Sequence, residues 1–304
     1  MGDRMYRLKR FIANSIPAPF VKIFASPYVS GDSLEKALLT VDKLFRERRI
    51  LSTLDLLGEA EKTKEKVLQA VTAYEKTLDE IKERNYASIS IKPSQFGYYI
   101  DKLFCKENIE RIVEKANTQN TQVTIDMEDI DLTDFTLDLY GELKPKYQNV
   151  GTVLQSRLFR TEKDLEKLDG LKAHIRLCIG IYNVSKEYAY TRKKDMKENL
   201  LKLLRKLLEK GHFVAIATHD KIYIRKSLEI LDEMKIQKEQ REFQMLMGVP
   251  RDEMQKELIE RREKVRLYVP YALTWSDAIA YLRRRMIESP SMTGLVLKNL
   301  LKRS

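Results

Sequence analysis

Short apolar runs alternate with longer amphipathic ones along most of this chain. Ser52–Leu57, Ser88–Lys92, Gln122–Met127, Val150–Gln155, His174–Gly180, Phe213–Thr218, Glu242–Leu246 and Val265–Val269 have the length and composition of buried strands. The segments between them carry helical periodicity. In Leu200–Leu208, leucines at 200, 201, 203, 204, 207 and 208 form one broad apolar face, and Gly211 after Lys210 is a C-terminal stop. Eight strand-then-helix units predict an α/β fold, a closed parallel (βα)8 barrel of TIM type. An open sheet that binds a dinucleotide would carry G-x-G-x-x-G after its first strand, and this chain has none. The pattern divides the chain into an N-terminal helical segment, residues 1–50, and a barrel domain, residues 51–304.

Composition narrows the class. The chain has 304 residues with 43% hydrophobic and 33% charged, enough apolar material for a real core. The net charge of +11 comes from basic residues scattered among acidic ones, as in Lys62–Lys66, Lys163–Lys167 and Lys193–Lys210. A solvated lysine-rich exterior explains this better than a nucleic-acid surface, since no arginine-rich tail or nucleic-acid motif is present. Cys105 and Cys178 lie far apart, which fits a reducing compartment. His174, His212 and His219 show no metal-ligand spacing with them, so no metal is expected. No apolar run reaches the length of a transmembrane helix. Residues 4–26 read as an amphipathic surface helix broken by Pro17 and Pro19. The expected location is the cytoplasm, with peripheral contact at the inner face of a membrane as a further expectation.

The last helix is polar where a core stripe would be apolar. Tyr281, Arg284, Arg285 and Glu288 share one helical face, and two guanidinium forks on one face suit a carboxylate or phosphate. The strand before it, Arg266–Tyr271, ends close by in sequence. In a barrel, functional groups gather at the strand C-termini. There the chain places Lys92, Asp126, Gln155, Arg176, His219 and Glu242 on six different strands. Singly each has a plainer explanation: Asp55 and Glu59 as a helix-capping pair, Asp126 as a cap, Gln155 satisfying a loop, Lys92 in solvent. Together they converge on one mouth.

The ordered set Asp55–Glu59 (DLLGE), SIKPS, IDMED, LQSRLFRT, RLCIGIY, ATHD, EFQML, RLYVPY and Y-x-x-RR-x-x-E resembles the proline dehydrogenase family over residues 52–289. The resemblance implies a distorted (βα)8 barrel that holds FAD at the strand C-termini, with the last helix over the barrel mouth. It implies oxidation of L-proline to Δ1-pyrroline-5-carboxylate, with a hydride passed to N5 of the flavin and electrons to a quinone. By position, Lys92, Arg284 and Arg285 would bind the substrate carboxylate, and Tyr268, Tyr281 and Leu246 would surround its ring. Asp126 would lie near the substrate and, with Arg176 and Tyr268, form the catalytic set. Gln155, Arg176, Gly180, Tyr182, Thr218, His219 and Glu242 would hold the flavin. Glu59 would pair with Arg284 and gate the site.

The chain departs from the family where a lysine usually precedes the glycine of the fifth-strand motif; here it is Ile179. Arg157 stands at a position that is often aromatic, and Ala272 at one that is often glycine. Two alternatives therefore stay open: a diverged paralogue that oxidises another imino acid, and a non-catalytic barrel that binds a small carboxylate.

Overall fold

The computed structural model describes Val21, residues 27–182 and residues 184–288, with Ala280 and residues 284–288 described for their backbone alone. Eight parallel strands close a barrel in sequence order: β1 (Leu51–Leu56), β2 (Ala87–Ile91), β3 (Val123–Ile125), β4 (Val150–Gln155), β5 (His174–Cys178), β6 (Phe213–Ala217), β7 (Arg241–Leu246) and β8 (Val265–Tyr271). The seam is complete, with β8 pairing β1 from Leu51↔Arg266 to Leu56↔Tyr271. The helices are α1 (Leu34–Arg48), α2 (Lys64–Ile81), α3 (Lys102–Thr118), α4 (Thr133–Leu143), the short α5 (Thr161–Asp164), α6 (Lys193–Glu209), α7 (Lys221–Glu233), α8 (Asp252–Glu260) and α9 (Trp275–Glu288).

Local chemistry sets the helix ends. The side chains of Ser33, Thr63, Asp101 and Asp220 accept backbone N–H groups at the starts of α1, α2, α3 and α7. The leucine face of α6 is buried at Leu200, Leu203, Leu204, Leu207 and Leu208, and Gly211 follows with a positive φ of 75°. Outward strand residues such as Leu54, Ile89, Ile125 and Ile175 meet these helical faces in one continuous core.

Two placements shape the mouth. Helix α1, on the N-terminal side of the expected boundary at residue 50, packs on the outside of β1 and β8. It thus covers the seam where a helix following β8 would otherwise lie. Helix α9 instead sets Ala278 and Leu282 against Val29 and Ala272, with Leu57 of the β1–α2 loop packed beside them. The amphipathic helix expected within residues 4–26 lies outside the described residues, Val21 apart.

Candidate active site

The inward faces of the strands are polar. Alternation puts Thr53 and Asp55, Ser88 and Ser90, His174 and Arg176, Glu242 and Gln244, and Arg266 and Tyr268 on the barrel interior. Buried polar groups need partners, and here they partner one another in layers. In the lower layer, Arg266 Nε donates to Glu242 at 2.9 and 3.2 Å, and its Nη1 to Ser52 O at 2.9 Å and Ser88 Oγ at 3.1 Å. Burial opposes the Glu242 charge, but Arg266 outweighs it and holds the carboxyl below its ordinary value. Burial keeps His174, beside this pair, neutral, with its pKa lowered to about 3.

Gln244 joins this layer to the next. Its Nε2 donates to Glu242, and its Oε1 accepts from Arg176 Nε at 2.6 Å. Arg176 Nη1 then donates to Asp126 Oδ1 at 2.5 Å and Ser90 Oγ at 3.1 Å. Ser90 Oγ donates to the same Asp126 oxygen at 2.8 Å. The other oxygen of Asp126 accepts the Tyr268 hydroxyl at 2.6 Å. Lys92 closes the network at the top: Nζ donates to Asp55 and, at 3.2 Å, to the Tyr268 oxygen, and lies 3.6 Å from Asp126. Lys92 Nζ and Arg176 Cζ lie 5.8 and 5.1 Å from the centre of the Tyr268 ring.

The protonation states follow. Burial works against a charged Lys92, yet Asp55, Tyr268 and Asp126 hold its pKa well above the ordinary lysine value. Burial likewise opposes ionised Asp126, and Arg176 and Lys92 outweigh it. Burial first, then Asp126 and Asp55, keep Tyr268 a neutral phenol that donates its proton. Burial, the largest influence on Asp55, raises its carboxyl above the ordinary value against the pull of Lys92.

On the far side of the mouth, Gln155 Nε2 donates to Glu128 O at 2.7 Å, which turns its Oε1 away. That Oε1 is buried without a partner among the described residues, as is Arg176 Nη2. Gly180 has a φ of 95°, and a Cβ there would run into Gln155 Oε1 and lie 3.0 Å from Arg157 Cδ. Glycine is required twice over, by conformation and by space. Thr218 is buried after β6, and His219 Nε2 accepts the Leu246 N–H at 3.3 Å. Tyr182 lies in the loop after β5, where its carbonyl accepts Arg157 Nη1. Ile179 packs against the apolar core.

The structure thus gathers Lys92, Asp126, Arg176 and Tyr268 into one network and sets Gln155, Gly180, Tyr182, Thr218, His219 and Leu246 around the same strand ends. Glu242 stands apart. It is the second residue of β7, only 3% exposed, and one layer of side chains below the mouth. Gln244 is the β7 residue that meets Arg176, because a strand repeats its facing every two residues. Tyr281 lines a cleft of about 380 Å³ with Leu57, Glu59, Gln95 and Asp277, between α9 and the β1–α2 loop. The side chains of Arg284, Arg285 and Glu288 lie outside the described residues. Asp55, read from sequence as a possible cap, is 1% exposed and takes the Lys92 ammonium. Ser90 and Gln244 are further members that sequence reasoning passed over; their period-two spacing from Ser88 and Glu242 was the available signal.

The model of the proline dehydrogenase family matches residues 37–297. Proline dehydrogenase 2 of Bacillus subtilis is 34% identical over 283 residues, covering 93% of this chain and 92% of that protein. Proline dehydrogenase of Deinococcus radiodurans is 34% identical over 291 residues, covering 91% and 90%. Among solved structures, proline utilization A (PutA) from Bdellovibrio bacteriovorus, inactivated by N-propargylglycine, matches with a TM-score of 0.80 at 21% identity. That match covers 87% of this chain but 32% of the longer PutA chain, and it speaks to the fold alone. With a third of its residues shared with enzymes of matching length, and the family pattern running through the strands that build this mouth, the chain belongs to the proline dehydrogenase family of oxidoreductases.

Proposed function

We propose that this chain oxidises L-proline to Δ1-pyrroline-5-carboxylate with FAD as its cofactor. The observation that carries this reading is the pair of buried polar atoms, Arg176 Nη2 and Gln155 Oε1, which have no partner among the described residues. Leaving such atoms unmatched costs about 1–3 kcal/mol each. A donor and an acceptor at the strand ends fit a flat polar ring such as the flavin.

When bound, FAD would supply the two-electron acceptor for a hydride from the ring carbon next to the proline nitrogen. Proline loses one hydride and one proton in reaching the protonated imine. Lys92, kept cationic by Asp55 and Asp126, offers the substrate carboxylate a fixed charge, and Arg284 and Arg285 add to it in this reading. Asp126 holds the Arg176 guanidinium and the Tyr268 hydroxyl in fixed directions, so the mouth is organised before substrate arrives. The Tyr268 ring, with Leu246 and Tyr281, forms the apolar side against the pyrrolidine ring. Gln155, Arg176, Gly180, Tyr182, Thr218 and His219 would hold the cofactor, and Glu242 acts through Gln244 on Arg176.

The reading extends to a quinone as electron acceptor and to peripheral contact at a membrane. Both follow the family resemblance. Among the described residues no helix is long and apolar enough to cross a membrane.

A panel of substrates with an artificial dye acceptor tests the reaction. L-Proline is expected to give the highest kcat/KM, ahead of hydroxyproline, pipecolate and sarcosine. A preference for another member of the panel would assign a different imino acid, and no turnover of any would favour the non-catalytic barrel.

A further inference from the structure

The most deeply buried guanidinium groups of this barrel pair with carboxylates among the described residues. Arg176 pairs with Asp126 at 2.5 Å, Arg241 with Glu263 at 2.6 Å and Arg266 with Glu242 at 2.9 Å. Arg157, two residues beyond the end of β4, is half-buried, and among the described residues no carboxylate acts on it. Burial pulls its pKa down, and the sole ionisable neighbour of note is the Cys178 thiol. Its Nη1 donates to the carbonyl of Tyr182, and its Nε is buried without a partner among the described residues.

A half-desolvated cation held by one carbonyl is costly unless an anion completes it. The backbone nevertheless fixes this residue firmly. Arg157 N donates to Ile179 O at 3.1 Å, and its carbonyl accepts Tyr190 N–H at 2.8 Å. Its Cδ lies against the open face of Gly180, next to the unmatched Gln155 Oε1. The position also separates it from the substrate cations. Lys92, Asp55 and Tyr268 belong to the β8–β1–β2 side of the barrel, whereas Arg157, Gln155 and Gly180 belong to the β4–β5 side. Ile179 brings no charge to that wall.

We infer that Arg157 is an anion-binding residue of the cofactor site, where it holds a phosphate oxygen of the dinucleotide's diphosphate. The inference rests on the FAD reading above and goes beyond it by naming the cation that this chain commits to the phosphates. A guanidinium gives a planar pair of donors that suits a phosphate.

Flavin binding to the full chain, stripped of cofactor, tests this without recourse to activity. FAD, FMN and riboflavin would each be titrated against the parent, Arg157→Gln, Arg157→Met and Arg157→Lys, with the melting temperature of each protein measured alone. Arg157→Gln and Arg157→Met are expected to raise the Kd for FAD about 10- to 100-fold, the loss typical of a charge-assisted bond. Riboflavin, which has no phosphate, should bind parent and variants alike. Arg157→Lys should recover most of the affinity, and added salt should weaken FAD binding more in the parent than in Arg157→Gln. An FAD affinity unchanged in both neutral variants, or a loss equal for FAD and riboflavin, would overturn the assignment while leaving the cofactor reading in place. A parent chain that takes up no flavin at all would overturn both.

Discussion

Asp126 is the most heavily shared side chain of the mouth. Tyr268, Arg176 and Ser90 donate to it, and Lys92 lies within ion-pair range. Asp126→Asn removes the charge that orients two cations and the phenol, so kcat/KM for L-proline should fall by about 100-fold or more. Steady-state kinetics against dye acceptor checks this, with an intact melting transition as the control for folding. Glu128 offers a cleaner electrostatic test. It is 4% exposed, and burial pushes its pKa up to about 7, although Ser94 N and Oγ both donate to it. In the unfolded chain the group titrates near 4.5, so between these values the folded state binds more protons. Stability is therefore highest below about pH 4.5 as far as this group is concerned, and falls as pH rises towards 7, by about 3 kcal/mol in all. Glu128→Gln should remove that slope in urea unfolding measured across the same window; an unchanged slope would mean another group sets it. The residues legible in the sequence were those that family spacing marks, namely Lys92, Asp126, Arg176 and Tyr268. Asp55 and Gln244 were missed because a charge or amide within a short strand reads as a cap or a solvent-facing group until the barrel closes around it.

At the scale of elements, eight strands were expected and eight are seen, with ends displaced by one or two residues for local reasons. Strand β5 stops at Cys178 because Gly180 turns the chain with a positive φ. Strand β3 is short because the chain leaves the ladder after Asp126 and brings Glu128 to Ser94. Strand β8 runs past Pro270, whose carbonyl accepts Ser30 N–H although the residue has no N–H of its own. The role of α1 was not legible, since periodicity marks a helix but not which seam it covers. Val41 of α1 is fully buried against that seam. Val41→Ala should cost about 2 kcal/mol, and hydrogen exchange should rise first in β1 and β8. Exchange that rises evenly round the barrel would argue that α1 does not guard the seam. Neighbouring helices are also linked at the surface by ion pairs, among them Arg111–Glu75, Lys115–Asp79 and Lys106–Glu142, and Lys146 in the turn after α4 pairs with Glu110. A double-mutant cycle on Arg111 and Glu75 should give a coupling below about 1 kcal/mol, as for exposed pairs generally.

The whole molecule is an apolar shell around a polar column. Helices and outward strand faces supply the core, while the interior is filled by Arg266, Glu242, Gln244, Arg176, Asp126, Tyr268 and Lys92 in hydrogen-bonded sequence. That column ends at the strand C-termini, where Arg176 Nη2 and Gln155 Oε1 are buried with no partner among the described residues. A ligand that completes them binds the folded state alone and must stabilise it. FAD at about 100 times its Kd should add about 2.7 kcal/mol, read as a raised melting temperature. Riboflavin should raise it less, for want of the phosphates. The central claim is that this mouth holds a flavin which L-proline reduces. The most direct test is an anaerobic titration of the flavin-loaded protein. The flavin absorbance should bleach as L-proline is added and return when an acceptor is supplied. Flavin-loaded protein whose spectrum no concentration of L-proline changes would contradict the account.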